Sequence, residues 1–295
     1  MPTTKLADVA DQVQKIWSPV FGKQLRENSM LPSLVNKEYQ GDIRKLNDTV
    51  YVSQINAPEG SLRTVGVDAD SFASEKLQTQ RISIVADKRA TASFEFEELV
   101  DIQSQIGAEK SAIREALLFS LMRQVNDHCY SKVNPSTANP DHLITGVADF
   151  NATQLNSGAK LASQAFWPDS APKYCLVDAS YASDLRAAQT LTSSDFVGDD
   201  RVVVAGKVAT PRFGFQILED NSRGLRTLSA TVGGGEDAAL LFTPDFLHLV
   251  MQSDVEIKIA ELTANKQFGY VIVANLILGA ALGIDGDDKH IVYKA

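Results

Sequence analysis

The longest regular pattern in the chain runs from Ala108 to Val133. Apolar residues recur there at Ile113, Ala116, Leu117, Leu121, Val125, Cys129 and Val133, in a stretch without Gly or Pro. Spacing of mostly four puts them on one face of a helix. Gly107 precedes the stretch and Asn134-Pro135 follows it, where a helix should stop. At 1.5 Å per residue the rod is about 39 Å long, well beyond the mean globular helix of about 11–12 residues. Alone, it predicts a core helix.

Ahead of it the period changes to two. Thr49–Ile55 and Thr79–Val85 have the β-branched composition of strands. Pro58, Gly60, Gly66 and the polar run Asp68–Gln78 lie between them. The pair predicts an extended hairpin with a hydrophilic tip. A connection of about 25 residues is long for a compact domain, and is either a surface loop or an arm that orders against another molecule. At the N-terminus, Leu6, Val9, Ala10, Val13, Ile16 and Trp17 share a helical face that ends at Ser18-Pro19. Such a helix docks on its own core, on a neighbouring subunit or on a membrane; Asp8 and Asp11 balance Lys5 and Lys15 and weaken the last option.

Arg89–Phe96 alternates, and Glu97–Ile106 predicts a short helix. Asn134–Pro140 is a Pro/Asn/Ser linker and the best boundary in the chain. Beyond it the pattern is α/β. Helices are expected over Leu155–Phe166, with Leu155, Ala159, Ala162 and Ala165 or Phe166 inward, and over Tyr181–Leu191. Strands are expected over Tyr174–Asp178, Arg201–Ala205 and Phe215–Leu218, with turns at Gly206, Pro211–Gly214 and Gly233–Gly235. Ala239–Phe242, Leu247–Met251, Val255–Ile259, Gly269–Leu278 and Lys289–Tyr293 follow as strands, although Gly269–Leu278 also fits a helix.

Composition narrows the classes. The 295 residues are 44% hydrophobic and 22% charged, enough for a sizeable core. A net charge of −9 argues against general affinity for free nucleic acid, but not against a wall that encloses it. Cys129 and Cys175 sit in apolar settings and predict buried thiols rather than a disulfide framework. No signal-peptide pattern opens the chain. The apolar run Val271–Ile284 contains Asn275 and is too short to span a bilayer.

No chemistry-bearing constellation emerges. His128, His142, His248 and His290 lack ligand spacing, and the acidic turn Asp285, Asp287, Asp288 lacks the rest of a calcium loop. Gly233–Gly235 is followed by Glu236 and Asp237, which would repel a phosphate. There is no Gly-x-Ser-x-Gly elbow, and a mid-strand Cys175 would make a poor thiolate. Neither catalytic residues, metal ligands nor cofactors are expected.

The order of parts carries more information: an N-terminal arm, a long hairpin, a lone long helix, an α/β insertion and a return to β-structure. That order resembles the major capsid proteins of tailed bacteriophages, the Hong Kong 97 fold. Val204–Asn221, with Gly206 and Gly214 flanking a turn before an apolar strand, is similar to a stretch of those proteins. So are Tyr174–Leu185 and Phe268–Gly283.

The resemblance implies an α+β chain with an N-terminal arm (1–48), an extended hairpin loop (49–86), a peripheral domain with the spine helix (87–139), an inserted α/β axial domain (140–245) and a C-terminal return to the peripheral domain (246–295). It implies a shell subunit that assembles with itself as pentamers and hexamers in the host cytoplasm, encloses double-stranded DNA without sequence-specific binding, and ends in the virion capsid without contacting membrane. Intersubunit contacts fall on the hairpin, at Gly60, Arg63, Asp68, Asp70 and Lys76. The spine is held by Ile113, Leu117, Leu121 and Val125. A first strand at Thr49 leaves little room for a fused scaffolding segment, so a separate scaffolding protein is expected, with a portal. An encapsulin-like compartment shell, a tail or head-completion protein and a cytoplasmic α/β enzyme are the alternatives.

Overall fold

The computed structural model describes residues 27, 29–41, 49–58, 60, 76–97, 110–188, 191, 211–228, 237–251, 256–261 and 269–295. The expected N-terminal helix, the expected strand 201–205, the turn 233–235, residues 98–106 of the expected short helix and three hairpin positions, Arg63, Asp68 and Asp70, lie outside them. Glu97, expected to start that short helix, is instead the last residue of a strand.

The long helix, α2 (Lys110–Tyr130), follows a one-turn helix α1 (Leu31–Leu34). Its predicted stripe is real. Leu117, Leu121, Val125 and Cys129 are buried, and Ile113 is half-buried at the near end. The helix ends at Tyr130 rather than Val133; Lys132 and Val133 donate to carbonyls three residues back, closing a turn before Asn134-Pro135.

Two sheets flank α2. The first is built on the 14-residue strand β10 (Gly269–Leu282). One edge of β10 pairs antiparallel with β3 (Lys88–Glu97). The other edge pairs in succession with β9 (Glu256–Glu261) and β8 (Leu247–Met251). The segment that also fitted a helix is therefore a strand. Its apolar run pairs on both edges, and Ala274, Leu276 and Leu278 alternate into the core under α2.

The second sheet has five strands in the order β4 (Leu143–Ile144), β11 (His290–Lys294), β7 (Ala238–Phe242), β5 (Lys173–Val177), β6 (Phe215–Glu219). Every residue of β7 is buried, because the sheet is covered on both faces. Leu240, Leu176 and Val292 face the core shared with α2. Leu241, Cys175, Ile291 and Tyr293 face a second core under α3 (Ala152–Gln164) and α4 (Ala179–Ala187). Asn151 caps α3 with a reciprocal capping box to Gln154.

Two expectations are corrected here. Residues 246–295 do not all return to the first sheet: β8, β9 and β10 do, but β11 inserts between β4 and β7 of the second. Of Ala165 and Phe166, the two residues offered for the last inward position, Ala165 packs partly buried against the second core, and Phe166 does not point inward. It lies just past the end of α3 at φ 56 and is 91% exposed, while Trp167 takes the buried place.

The hairpin forms as expected. β1 (Thr49–Ile55) pairs with β2 (Thr79–Val85) along its whole length, from Thr49 with Val85 to Ile55 with Thr79. Its root is buried at Ile84 and Ala86 against Val250, with Val50, Val52 and Ile277 packed around them. Gly279 of β10 lies directly beneath the Val85 carbonyl, where any Cβ would collide with backbone.

Candidate assembly surfaces

Burial along the hairpin falls off with distance from the root. Ile84 is fully buried, whereas Tyr51, Ile55 and Leu77 are 59%, 66% and 74% exposed. The Arg81 guanidinium lies 4.5 Å over the Tyr51 ring, which stiffens the ribbon midway. Of the hairpin positions singled out in the sequence, Gly60 takes a left-handed φ of 58, and Lys76 is exposed just ahead of β2. The apolar residues Tyr51, Ile55 and Leu77 were not singled out. Their signal was hydrophobic residues flanking a polar loop with no core in reach.

A second surface is internal: the joint between α2 and the five-stranded sheet. Tyr130, on the last turn of α2, donates a 2.6 Å hydrogen bond to Asp220 Oδ2 at the end of β6. Asp220 Oδ1 accepts from the Ser222 backbone N–H at 2.8 Å. Ser222 caps the short helix α5 (Arg223–Arg226), and Gly224 lies flat against the Tyr130 ring. Burial raises the Asp220 carboxyl above its ordinary range, and the bonds from Tyr130 and Ser222 partly oppose it. Burial likewise raises Asp127, one turn earlier on α2. Glu27, just ahead of α1, enters the same joint: it accepts from the Arg223 N–H at 2.6 Å and pairs with Arg123 at 2.7 Å.

Burial holds both cysteines and His290 toward their neutral forms. Burial pushes the Cys129 thiol up to about 12 and the Cys175 thiol higher still. His290 is fully buried, with Nδ1 2.6 Å from the Gly286 carbonyl, and burial lowers its pKa to about 4. His142 is buried nearby, with Nδ1 3.5 Å from the Asp287 carbonyl. The acidic turn is closed by backbone bonds and by Lys289 Nζ donating to the Ile284 carbonyl at 2.7 Å. Among the described residues no group of three His, Cys, Asp or Glu side chains is placed to hold a metal ion, and no helix is long and apolar enough to cross a membrane.

This architecture, a long helix between two sheets with a hairpin projecting from one of them, has the Hong Kong 97-type capsid fold. The model of the phage capsid protein family matches residues 35–285. The chain belongs to that family, and is a coat protein of the phage head. A chain from Mycobacterium phage Che8 has the same fold at a TM-score of 0.76 and 18% identity, covering 95% of this chain and 96% of that one. The capsid of cyanophage P-SCSP1u matches at 0.73 and 14%, covering 97% and 94%. That of cyanophage Pam1 matches at 0.74 and 11%, covering 96% of each chain. No curated protein matches the sequence.

Proposed function

We propose that this coat protein is the major subunit of an icosahedral shell, assembled as pentamers and hexamers in the host cytoplasm around a separate scaffolding protein and a portal. The shell then encloses double-stranded DNA without reading its sequence. The observation that carries this is the hairpin: β1 and β2 pair along their whole length, the root is anchored at Ile84 and Gly279, and one face of the ribbon presents Tyr51, Ile55 and Leu77 to solvent. An exposed apolar surface of this kind has a use when it lies on a neighbour. Gly60, Arg63, Asp68, Asp70 and Lys76 are the hairpin positions proposed to meet that neighbour.

In this reading β3, β8–β10 and α2 form the peripheral domain, and residues 140–245 with β11 form the axial domain. The stripe Leu117, Leu121 and Val125 is the beam that fixes one against the other. The subunit carries no catalytic role. A net charge of −9 fits a wall that contains DNA without adhering to it.

The test is electron microscopy of the full chain expressed with its flanking genes. Closed, DNA-free shells with five- and six-fold capsomers are expected. Rings or tubes without closed shells would indicate a head-completion or tail role instead.

A further inference from the structure

The turn between β10 and β11, residues 283–289, is the passage of the chain from the first sheet to the second. Three successive carbonyls of the turn accept from three separate places. Asp287 accepts from the Ser136 N–H at 3.0 Å, Asp288 from the Trp167 indole at 2.7 Å, and Lys289 from the Thr243 N–H at 3.2 Å. Ser136 lies in the linker after α2, Trp167 just past α3, and Thr243 at the end of β7. On the side of the first sheet, the Gly283 N–H donates to the Phe246 carbonyl at 2.8 Å, just ahead of β8. Gly286 lies so close to that carbonyl that any Cβ would collide with it.

Three of the four histidines of the chain surround this turn, each brought by a different element. His290, the first residue of β11, is fully buried, with Nδ1 at the Gly286 carbonyl and its ring 5.1 Å from that of Phe246. His142, just ahead of β4, is fully buried with Nδ1 toward the Asp287 carbonyl. His248 of β8 is buried edge-on to Tyr39, with Nε2 beside Gly283. Nε2 of His142, Nε2 of His290 and Nδ1 of His248 have no hydrogen-bond partner. A neutral imidazole tolerates one bare nitrogen. An imidazolium makes both nitrogens donors, and a buried charge without partners is costly.

The charged neighbours do not reverse this. Asp287 and Asp288 favour the charged form of His290, and His142 opposes it. Asp245 and Glu38 favour the charged form of His248, and Lys289 opposes it. For both rings burial outweighs the carboxylates.

We propose that the 283–289 turn is an acid-released clasp. While its three imidazoles are neutral it holds Ser136, Trp167 and Thr243, and when they are charged it lets all three go before either sheet unfolds. The three holds sit on consecutive residues, so one shift of the turn breaks them together. The clasp is a property of the single subunit and goes beyond the shell reading.

The test is amide exchange of the full-length, unassembled subunit, followed by NMR from pH 7 to 5 and corrected for the intrinsic rate. The His290 value of about 4, against an ordinary 6.5 once the ring is released, predicts that protection at Ser136 and Thr243 falls about 20-fold over that range. Their exchange should not respond to urea below the unfolding transition, as a local opening does not, and should stay faster than that of the β10 ladder. In Trp17→Phe, where Trp167 is the remaining tryptophan, emission should shift red at a pH where far-UV ellipticity is unchanged. His290→Phe should make the pH dependence at Ser136 and Thr243 shallower, and His248→Phe/His290→Phe should remove most of it. Protection that holds to pH 5, or that is lost only through urea-sensitive unfolding of the whole chain, overturns the proposal. So does an unchanged pH dependence in a folded double variant. Should that variant fail to fold, the urea comparison on the wild type decides.

Discussion

The Tyr130 hydroxyl and the Asp220 carboxylate, 90 residues apart in sequence, meet at 2.6 Å in the buried joint between α2 and the five-stranded sheet. Tyr130→Phe removes the donor and leaves a buried acceptor with only its Ser222 contact. An unsatisfied buried group costs about 1–3 kcal/mol, more if charged. Urea denaturation of the unassembled subunit should show a loss in that range. A change below about 0.5 kcal/mol would mean water replaces the hydroxyl.

Leu121 is fully buried at the centre of the α2 stripe. Leu121→Ala should cost about 2–5 kcal/mol. Leu121→Asp should abolish folding, since the helix has no other face to bury. A soluble, cooperatively melting monomer from the aspartate variant would show that α2 is not the element on which the two sheets depend.

His290 sets an acid limit. Its pKa is lowered from 6.5 to about 4 by burial, with His142 adding to the shift and the Gly286 bond, Asp287 and Asp288 opposing it. The unfolded chain binds a proton here below about pH 6.5, while the folded chain does so only below about pH 4. Unfolding therefore takes up a proton in that window, and stability falls as pH drops through it, by on the order of 3 kcal/mol. Asp220 and Asp127 act in the opposite sense, because their raised pKa values make the folded chain hold protons that the unfolded chain releases. Denaturation midpoints between pH 7 and 4 should decline in the wild type. The decline should be much shallower in His290→Phe.

The outer hairpin should matter to assembly and not to folding. Ile55→Ser and Leu77→Ser alter exposed positions and should leave subunit stability within about 0.5 kcal/mol. Both should reduce the yield of shells, and deletion of residues 60–75 should reduce it further while the subunit still melts cooperatively. Shell yields equal to wild type from the deletion variant would make the loop decoration.

What the sequence disclosed follows from what pattern can encode. Thr49–Ile55 and Thr79–Val85 were legible to the residue because β-branched composition and turn residues bounded them. The stripe of α2 was legible because one face of it is buried. β10 was ambiguous because an apolar run that pairs on both edges has no period to distinguish it from a buried helix. The place of β11 was not legible at all: its pattern says strand, and nothing local says which strand lies beside it. Phe166 misled because helical spacing was extended past the point where the backbone turns left-handed. The Tyr130–Asp220 joint, with Glu27 beside it, depends on side chains brought together by tertiary packing alone.

The insertion of β11 between β4 and β7 has a consequence for timing. β4 pairs with β11 at Leu143–Val292, and β7 needs β11 to cover its second edge. During synthesis the apolar strand Ala238–Phe242 therefore waits, with one edge open, until residues 290–294 have emerged. Pairings this distant in sequence form slowly, and open apolar edges invite mispairing. The subunit is thus most vulnerable while β7 is made and β11 is not. Crowding of partly made chains on one message would be more hazardous to it than crowding of finished subunits.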